Sequence, residues 1–510
     1  MQPASQPTVI RLHPSDNVII ALKDLPAGTV LPELRGPLAV AVPRGHKIAT
    51  VAVPVGARVV RYGQIIGVAT QPIAVGEHIH SHNLGMDPAH ELDYAFASEH
   101  APQPLVNQPR HFMGYHRADG SVGTRNYLGV LTSVNCSGSV ARFIAEACER
   151  DGWLKDFPNI DGVVPIAHGA GCAMSNKDEG YETLFRTLKG YARNPNFGGI
   201  LLVGLGCEVM QVPDLIGAGK LRPDSNFRHM TIQQMGGTRK TVDRGIAMMK
   251  EMAVMANAAV RAPAGLEHLM IGMQCGGSDG YSGITANPAL GMASDMIVAH
   301  GGTTILSETP EIYGAEHLLT RRAVSREVGE KIVERIKWWE DYTAARGGEM
   351  DNNPSPGNKK GGLTTILEKS LGAVAKGGTA PLTQVYKFAE PITEKGFVYM
   401  DSPGYDPCSV TGQIASGANL IVFTTGRGSV SGYKPTPCIK LATNTEMYDR
   451  MSEDMDINCG DIITGGVTLE AKGREIFEEF IRVASGEQTK SEELGFGGAE
   501  FVPWAMGAVM

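Results

Sequence analysis

The pattern of apolar and polar residues divides the chain into a short β-rich beginning and a longer part in which strands and helices alternate. Between residues 8 and 85, short apolar segments such as "NVIIALKDL", "HKIATVAV" and "RVVRYGQIIGVA" are separated by turns such as "PAGT", "PRGH" and "PVGA". Short strand-like segments between such turns predict a small β domain. We place it at residues 1–97, followed by a proline-containing linker at 98–112.

From about Gly114 onwards, the pattern changes to strand, turn and helix. "YLGVLTSV" precedes the helical "SVARFIAEACER", and "DGVVPIAH", "GGILLVGLG", "HLMIGMQ" and "GGTTILSE" have the character of buried strands. Alternating strands and helices predict an α/β fold with parallel sheets. A Gly- and Pro-rich loop at residues 345–362 is expected to separate an α/β lobe at 113–344 from a C-terminal α/β lobe at 363–510.

Composition and charge exclude several classes of protein. A chain of 510 residues is too long for one ordinary core, which agrees with the division into several domains. A net charge of -8 disfavours nucleic acids and anionic membranes as principal partners. The sequence contains no apolar run long enough to span a bilayer and begins without a signal-peptide pattern, so we expect a cytoplasmic protein.

Four of the eight cysteines occupy equivalent places in the predicted fold. Scattered cysteines suit a reducing compartment, where thiols remain free to bind metals. In open parallel sheets, ligands bind at the carboxyl ends of the strands, and thiolates are suitable ligands for iron and iron–sulfur centres. Alternatively, each cysteine is a small apolar residue that packs at the end of a strand. The four thiols that follow predicted buried strands, and that we predict as iron ligands, are Cys136, Cys172, Cys207 and Cys275.

Polar side chains with possible chemical roles occur in two settings. The β domain contains His13 in "HPSDN", the pair His46 and Lys47 in "RGHK", and the alternating histidines of "GEHIHSHN", which would share one face of a strand. His168 precedes Cys172 by four residues, a spacing compatible with ligation of one metal. The "GEHIHSHN" segment is either a metal or carboxylate site or a solvated polar edge.

Glycine-rich turns carry the remaining candidates. Such turns expose backbone N–H groups and bring cationic side chains close to an anion, although ordinary turn chemistry produces the same composition. None matches a phosphate-binding loop or a dinucleotide fingerprint, so we expect no nucleotide cofactor. The candidates for substrate binding in these turns are Arg125, Asn126, Ser278, Asp279, Asn358, Lys359 and Arg427.

Several of these segments, taken in order, closely resemble a known family. "GYHRADGSVGTRN", "NPNFGGILLVGLGCE", "GMQCGGSDGYSGITANPALG", "NPSPGNKKGG" and "FTTGRG" resemble the altronate dehydratase and galactarate dehydratase family of sugar-acid lyases. The N-terminal "HPSDNV" and "RGHK" resemble the SAF domain of those enzymes, a small β-clip fold. The resemblance covers nearly the whole chain. It implies dehydration of a sugar acid to a 2-keto-3-deoxy sugar acid, with dependence on ferrous iron.

The motifs favour altronate as the substrate, with galactarate as the alternative. "SETPEIYGAEHLL" and "GEHIHSHN" are more similar to altronate enzymes, whereas "NPNFGG" and "NKKGGL" also match galactarate dehydratases. A related lyase that acts on another hydroxy acid, such as sulfolactate, is a further alternative. A binding protein without activity is disfavoured because the polar residues are retained. We expect a homo-oligomer, specifically a dimer, with a small-molecule substrate.

Dehydration across C2 and C3 of a sugar acid needs a base for the C2 proton, a cation for the enediolate and an acid for the leaving hydroxyl. Our candidates for base and acid are His46 and His168, with Lys47 beside them. His13, together with the turn residues named above, would bind the substrate. The iron would be either a mononuclear Fe(II) with histidine and oxygen ligands or a [4Fe–4S] cluster on three thiolates.

Overall fold

The N-terminal domain consists of short antiparallel strands, as the sequence predicts. The computed structural model describes residues 7–87, 92–98, 106, 109–217 and 226–507, so most of the expected linker at 98–112 lies outside the described residues. Two small sheets have the strand orders β1-β2-β3-β6 and β4-β5-β7. The strands are β1 (Val9–Ile10), β2 (Val18–Ala21), β3 (Lys47–Ala49), β4 (Arg58–Arg61), β5 (Gln64–Ala69), β6 (His78–Ile79) and β7 (Leu84–Gly85).

The second domain is an α/β layer around a four-stranded parallel sheet of order β11-β10-β12-β13. Helices α1 and α5 pack on one of its faces and α2 packs on the other. Its strands are β8 (His111–His116), β9 (Val122–Gly123), β10 (Tyr127–Thr132), β11 (Gly162–Ile166), β12 (Phe197–Gly204) and β13 (Phe227–Thr231), and β14 (Ala262–Gly265) pairs with β8. Its helices are α1 (Gly138–Arg150), α2 (Glu179–Arg193), α3 (Val212–Gly217), α4 (Ile232–Met235) and α5 (Thr238–Asn257).

The C-terminal domain contains a seven-stranded parallel sheet of order β17-β18-β16-β15-β19-β20-β21. Its central strands are buried along their whole length, as is usual when helices cover both faces of a parallel sheet. The strands are β15 (Met270–Cys275), β16 (Thr303–Leu306), β17 (Leu382–Tyr386), β18 (Gly396–Met400), β19 (Leu420–Thr425), β20 (Cys438–Ala442) and β21 (Ile457–Asn458).

Helices surround this sheet. Among the described helices of the chain, none is both long and apolar enough to cross a membrane. The direction of strand addition reverses between β15 and β19, and in such sheets the ligand crevice lies at the carboxyl ends of the strands at that point. The helices are α6 (Ala286–Ala299), α7 (His317–Arg321), α8 (Arg326–Ala344), α9 (Pro356–Lys360), α10 (Ile366–Val374), α11 (Asp406–Ser416), α12 (Thr445–Arg450), α13 (Asp461–Thr464), α14 (Leu469–Ala484) and α15 (Lys490–Glu493).

The structure places the boundary between the two α/β units elsewhere than at the expected loop, 345–362. Strands β15 and β16 precede this segment and β17 to β21 follow it, yet all seven form one sheet. The division instead falls between α5 and β15. Residues 345–362 are partly helical, because Ser355 and Asn358 form a capping box that begins α9. Periodicity identifies strands but does not show which sheet each strand joins, which explains the difference.

A buried ion-pair network joins the N-terminal domain to α10. The Glu368 carboxylate lies 2.9 Å from Lys47 Nζ and 2.5 Å from Arg61 Nη1, and all three side chains are fully buried. Lys47 also donates to the Gly362 carbonyl, and Arg61 donates to the Gly280 carbonyl. Burial alone would raise the pKa of Glu368, but Lys47 and Arg61 outweigh it and lower the pKa to about 2. The carboxylate therefore stays ionised and holds the two domains together.

We expect Glu368→Ala to lower the free energy of unfolding by about 3–5 kcal/mol, because two buried cations lose their shared partner. Urea denaturation of the full chain measures this change. Glu330→Ala serves as the control, since Glu330 forms an exposed pair with Arg326 and its loss costs about 0.5 kcal/mol or less. Equal effects of the two substitutions would contradict the role given to Glu368.

Candidate active site

A buried cluster of charged side chains lies at the carboxyl edge of the seven-stranded sheet. Cys275 ends β15, Glu308 and Glu311 follow β16, Lys369 belongs to α10, and Lys376 follows α10 in a short 3-10 turn. Lys376 Nζ lies 2.8 Å from Cys275 Sγ and 3.9 Å from a Glu308 oxygen. Lys369 Nζ lies 2.7 Å from Glu311 Oε1, and Cys275 Sγ lies 3.4 Å from Glu311 Oε2.

The loop after β16 holds its glutamates in an unusual backbone conformation. Glu308 has a φ of +72°, in the left-handed region that a residue with a side chain rarely adopts. The loop after β18 fixes this geometry, because Ser402 accepts hydrogen bonds from the Glu308 and Thr309 N–H groups and Asp401 accepts one from the Thr309 hydroxyl. Such strained residues concentrate at functional sites, where surrounding contacts enforce them.

The acidic groups of this cluster differ in their affinity for protons. Burial, and next the charge of Glu311, raise the pKa of Glu308 well above its ordinary value. The same two causes raise the pKa of Asp406, the first residue of α11, to about 7. Burial would also raise the pKa of Glu311, but Lys369 and Lys376 outweigh it and lower the pKa. Carboxyl groups with separated pKa values are a frequent feature of acid–base sites.

Three glycine-rich turns meet beside this cluster. Gly280 N–H donates to the Gly361 carbonyl at 2.8 Å. A Cβ atom on Gly280 would lie 2.1 Å from the Gly45 carbonyl oxygen, and one on Gly362 would lie 2.5 Å from the same atom. Only glycine permits this approach. The structure thus brings "RGHK" of the N-terminal domain against "CGGSDG" and "NKKGG" of the C-terminal domain.

Histidines of the N-terminal domain extend this contact. His46 Nδ1 lies 2.9 Å from His78 Nε2, and the His46 ring stacks on His80 at a centroid distance of 5.0 Å. His46 Nε2 and His80 Nε2 lie 3.3 Å and 2.8 Å from the Lys360 and Lys359 carbonyls. Burial, followed by neighbouring cations, lowers the pKa of His46 to about 4, so the ring is neutral at pH 7. The group therefore anchors the "NKKGG" turn.

Other predicted residues are distributed around this region. Ser278 is buried, and its hydroxyl has no hydrogen-bond partner, so it is available to a ligand. Asp279 accepts hydrogen bonds from Tyr281, Ser282 and Thr443 and organises its own turn. Asn358 donates to the Ser278 carbonyl, and Lys359 beside it is half-buried. Arg427 is exposed on the turn next to Gly277. His13 is also exposed, and its ring contacts the Ser15 hydroxyl.

Three predicted site residues lie in the second domain, apart from the cluster: Arg125, Asn126 and His168. Their polar atoms form hydrogen bonds with other groups of the chain. All five Arg125 N–H groups donate, to the Glu492 carboxylate and to backbone carbonyls. Asn126 donates to two backbone carbonyls. His168 Nδ1 accepts from the Ala170 N–H and Nε2 lies 3.0 Å from the Thr132 carbonyl. This geometry gives the three side chains a structural role.

The four predicted thiols do not meet at one place. Cys275 is buried in the C-terminal domain, whereas Cys136, Cys172 and Cys207 are exposed in the second domain. Among the described residues, Cys275, Glu308 and Glu311 form the group whose possible ligand atoms all lie within 4.8 Å of one another. The expectation of one iron site that includes Cys275 and the other thiols therefore does not match the structure, because the strands belong to different sheets.

The donor set of the buried cluster fits a divalent iron ion. The possible ligand atoms of Cys275, Glu308 and Glu311 all lie within 4.8 Å of one another, close enough to bind one ion. A thiolate with carboxylates combines soft and hard ligands, both of which iron accepts.

Sequence reasoning missed the carboxylates and lysines of this cluster. One signal was available, because "ILEKSLGAV" places Glu368 and Lys369 in an otherwise apolar helix, every residue of which is buried. Charged residues at such positions need buried partners. Glu308 and Glu311 also follow a predicted strand directly.

Three family models together match nearly the whole chain. They are described as the altronate/galactarate dehydratase SAF domain (residues 7–87), the D-galactarate dehydratase/altronate hydrolase second domain (114–257) and the D-galactarate/altronate dehydratase C-terminal domain (266–509). Their limits agree with the three domains of the structure, including the division between α5 and β15.

Individual relatives agree with the family models. Altronate dehydratase of Bacillus subtilis is 36% identical over 489 residues, covering 96% of this chain and 97% of the relative. Galactarate dehydratase (L-threo-forming) of Escherichia coli is 38% identical over 496 residues, covering 95% and 94%. The (2R)-sulfolactate sulfo-lyase subunit beta of Chromohalobacter salexigens is 32% identical over 394 residues, covering 76% and 95%.

His168 makes a testable contribution to acid sensitivity. Burial lowers the pKa of His168 from 6.5 to about 4, so its stabilising effect is complete above pH 6.5 and is lost as the pH falls towards 4. When the pH is lowered from 7 to 4, the wild type should therefore lose about 3 kcal/mol of unfolding free energy that His168→Gln does not lose. Urea denaturation at both pH values tests this, with the exposed His229→Gln as control. An unchanged pH dependence in His168→Gln would contradict the assignment.

Proposed function

The chain belongs to the D-galactarate/altronate dehydratase family, and from this premise we propose that it dehydrates D-altronate to 2-dehydro-3-deoxy-D-gluconate. The relatives support a hydro-lyase that acts on a sugar acid. Altronate is preferred to galactarate because of the histidine-containing segment "GEHIHSHN", whose rings form part of the interface between the N-terminal and C-terminal domains. Galactarate is the second candidate, since identity to the two relatives is nearly equal.

The observation that carries the proposal is the buried cluster at the carboxyl edge of the C-terminal sheet. It contains acidic groups that can exchange protons and two ammonium groups that can bind a carboxylate. It also lies beside the reversal of strand order, where sheets of this kind bind ligands. The neighbouring glycine-rich turns allow backbone groups to approach the substrate closely.

In the proposed reaction, residues of the chain act on C2 and C3 of the substrate, between which the double bond forms. Asp406 accepts the C2 proton, and the electron pair of the broken C–H bond forms the enediolate with the substrate carboxylate. Lys369 and Lys376 stabilise this negative charge, because a buried ammonium group interacts with it more strongly than water does. The C3–O bond then breaks, and the leaving hydroxyl takes a proton from Lys376 and departs as water. The resulting enol tautomerises to the 2-keto acid.

Ferrous iron is part of this proposal, with Cys275, Glu308 and Glu311 as the residues that would hold it. A bound divalent ion supplies Lewis acidity to the oxygens of the substrate. Ser278, whose hydroxyl lacks a partner, and the exposed Arg427 are the proposed contacts for hydroxyl and carboxylate groups of the substrate. We assign His46 and Lys47 to positioning, since both hold the segment that contains Lys360 and Gly362.

The experiment that tests the function measures product formation by the anaerobically purified, iron-loaded full chain. The substrates are altronate, galactarate, other aldonates and aldarates, and sulfolactate. We expect 2-keto acid formation with the highest kcat/KM for altronate. A higher value for galactarate would overturn the choice of substrate, and sulfite release from sulfolactate without 2-keto acid formation from any sugar acid would overturn the reaction.

Lys376→Met should lower kcat by about 100-fold or more, because the developing negative charge loses a preorganised cation. The matched control is Lys331→Met, which removes an amine from α8 that contacts Gln384 outside the cluster. Steady-state kinetics measures the effect, and circular dichroism verifies that both variants are folded. Wild-type kcat in a folded Lys376→Met would exclude the proposed site.

A further inference from the structure

Three of the eight cysteines are exposed, and they occupy one edge of the second domain. Cys136, Cys172 and Cys207 are exposed, whereas the other five are buried. Each of the three lies in the loop after one strand, β10, β11 or β12 respectively, and these strands are neighbours in one parallel sheet. Their carboxyl ends therefore point to the same side, so the three thiols share one edge.

The three cysteine-bearing loops contact each other directly. Asn135 N–H, next to Cys136, donates to the Ala170 carbonyl at 2.9 Å. Val209 N–H, two residues after Cys207, donates to the Gly171 carbonyl at 3.2 Å. Gly171 has a φ of +96°, and a Cβ on it would lie 2.4 Å from the Ser133 carbonyl oxygen. The loop of Cys172 is thus held between the other two loops.

A buried carboxylate fixes the loop of Cys207. Glu208 accepts hydrogen bonds from the Ser133 hydroxyl at 2.6 Å, the Leu205 N–H at 3.2 Å and the Gly206 N–H at 2.5 Å. Its side chain therefore links the loop after β12 to the loop after β10. This arrangement holds Cys207 in an exposed position although its neighbour in sequence is buried.

Two kinds of metal site use several cysteine ligands, and they differ in how far apart the thiols lie. A single tetrahedral ion needs its sulfur ligands close together, since metal–sulfur bonds are about 2.3 Å long. Among the described residues, the group that meets a 4.8 Å limit is the one at Cys275, and the three exposed thiols are not part of it. An iron–sulfur cluster places several irons and sulfides between its thiolates, so it takes cysteines that are farther apart.

The space next to Cys172 is large enough for further groups. A cavity of about 660 Å³ adjoins this residue. Asn135, Ser139, Arg142 and His168 line it together with Ala499 and C-terminal residues 501–506. Cavities of this size accommodate small molecules.

We propose that Cys136, Cys172 and Cys207 bind a [4Fe–4S] cluster in the second domain, separate from the buried cluster at Cys275. Three thiolates leave one iron of such a cluster without a protein thiolate. The three thiols are exposed and accessible to iron and sulfide, whereas Cys148 of the same domain is buried in α1.

Anaerobic reconstitution of the full chain with equal amounts of ferrous and ferric iron and with sulfide tests the proposal. We expect about four acid-labile sulfides per chain, with a matching amount of iron and the visible absorption of thiolate-bound iron–sulfur clusters. Sulfide is the decisive measurement, because mononuclear iron at Cys275 contributes none. Wild-type protein without labile sulfide, or with iron or zinc alone, would overturn the proposal.

Single variants locate the cluster. Cys136→Ala, Cys172→Ala and Cys207→Ala should each lose most of the labile sulfide and the visible absorption, and their exposed positions make unfolding by the substitution unexpected. Cys148→Ala and Cys275→Ala are the controls and should retain both. Circular dichroism of every variant verifies the fold. The assignment would be contradicted if all three exposed-cysteine variants retained the sulfide, or if Cys148→Ala lost it equally. Neither result depends on which substrate the protein uses.

Discussion

The compensation of buried charge along α10 determines how the domains and the site fit together. Glu368 lies between two cations of the N-terminal domain, and the next residue, Lys369, binds Glu311 of the site. Because every residue of this helix is buried, both charges need partners in fixed positions. One short helix therefore aligns the N-terminal domain with the carboxyl edge of the C-terminal sheet, and a shift of either would leave an unpaired charge in the interior.

The sequence was informative where local pattern decides the structure. Strands that end in a cysteine or are followed by one were identified from their apolar runs, and so was the β-rich N-terminal domain. The assignment of strands to sheets was not accessible in this way, because β15 pairs with β19 across about 150 residues, as in the pair Ile271 and Leu420. For the same reason, Cys275 could not be distinguished from the thiols of the second domain.

Polar residues in glycine-rich turns were harder to interpret. Arg125 and Arg427 occur in similar sequence contexts, yet Arg125 is enclosed by carbonyls and Glu492 whereas Arg427 is exposed. A cation that binds the chain's own carbonyls and one that is open to a ligand have the same sequence signature. Glu308 and Lys376 were missed because their partners come from three separate segments, which only the folded chain brings together.

The ion pair between the N-terminal domain and α10 also has a consequence for the order of events during synthesis. Lys47 and Glu368 are 321 positions apart in the sequence. At translation rates of about 5–20 residues per second, the β domain therefore emerges roughly 15–65 seconds before its partner helix. During this interval, water hydrates the lysine and arginine that the finished protein buries. The N-terminal domain can therefore dock only late, after α10 has been synthesised.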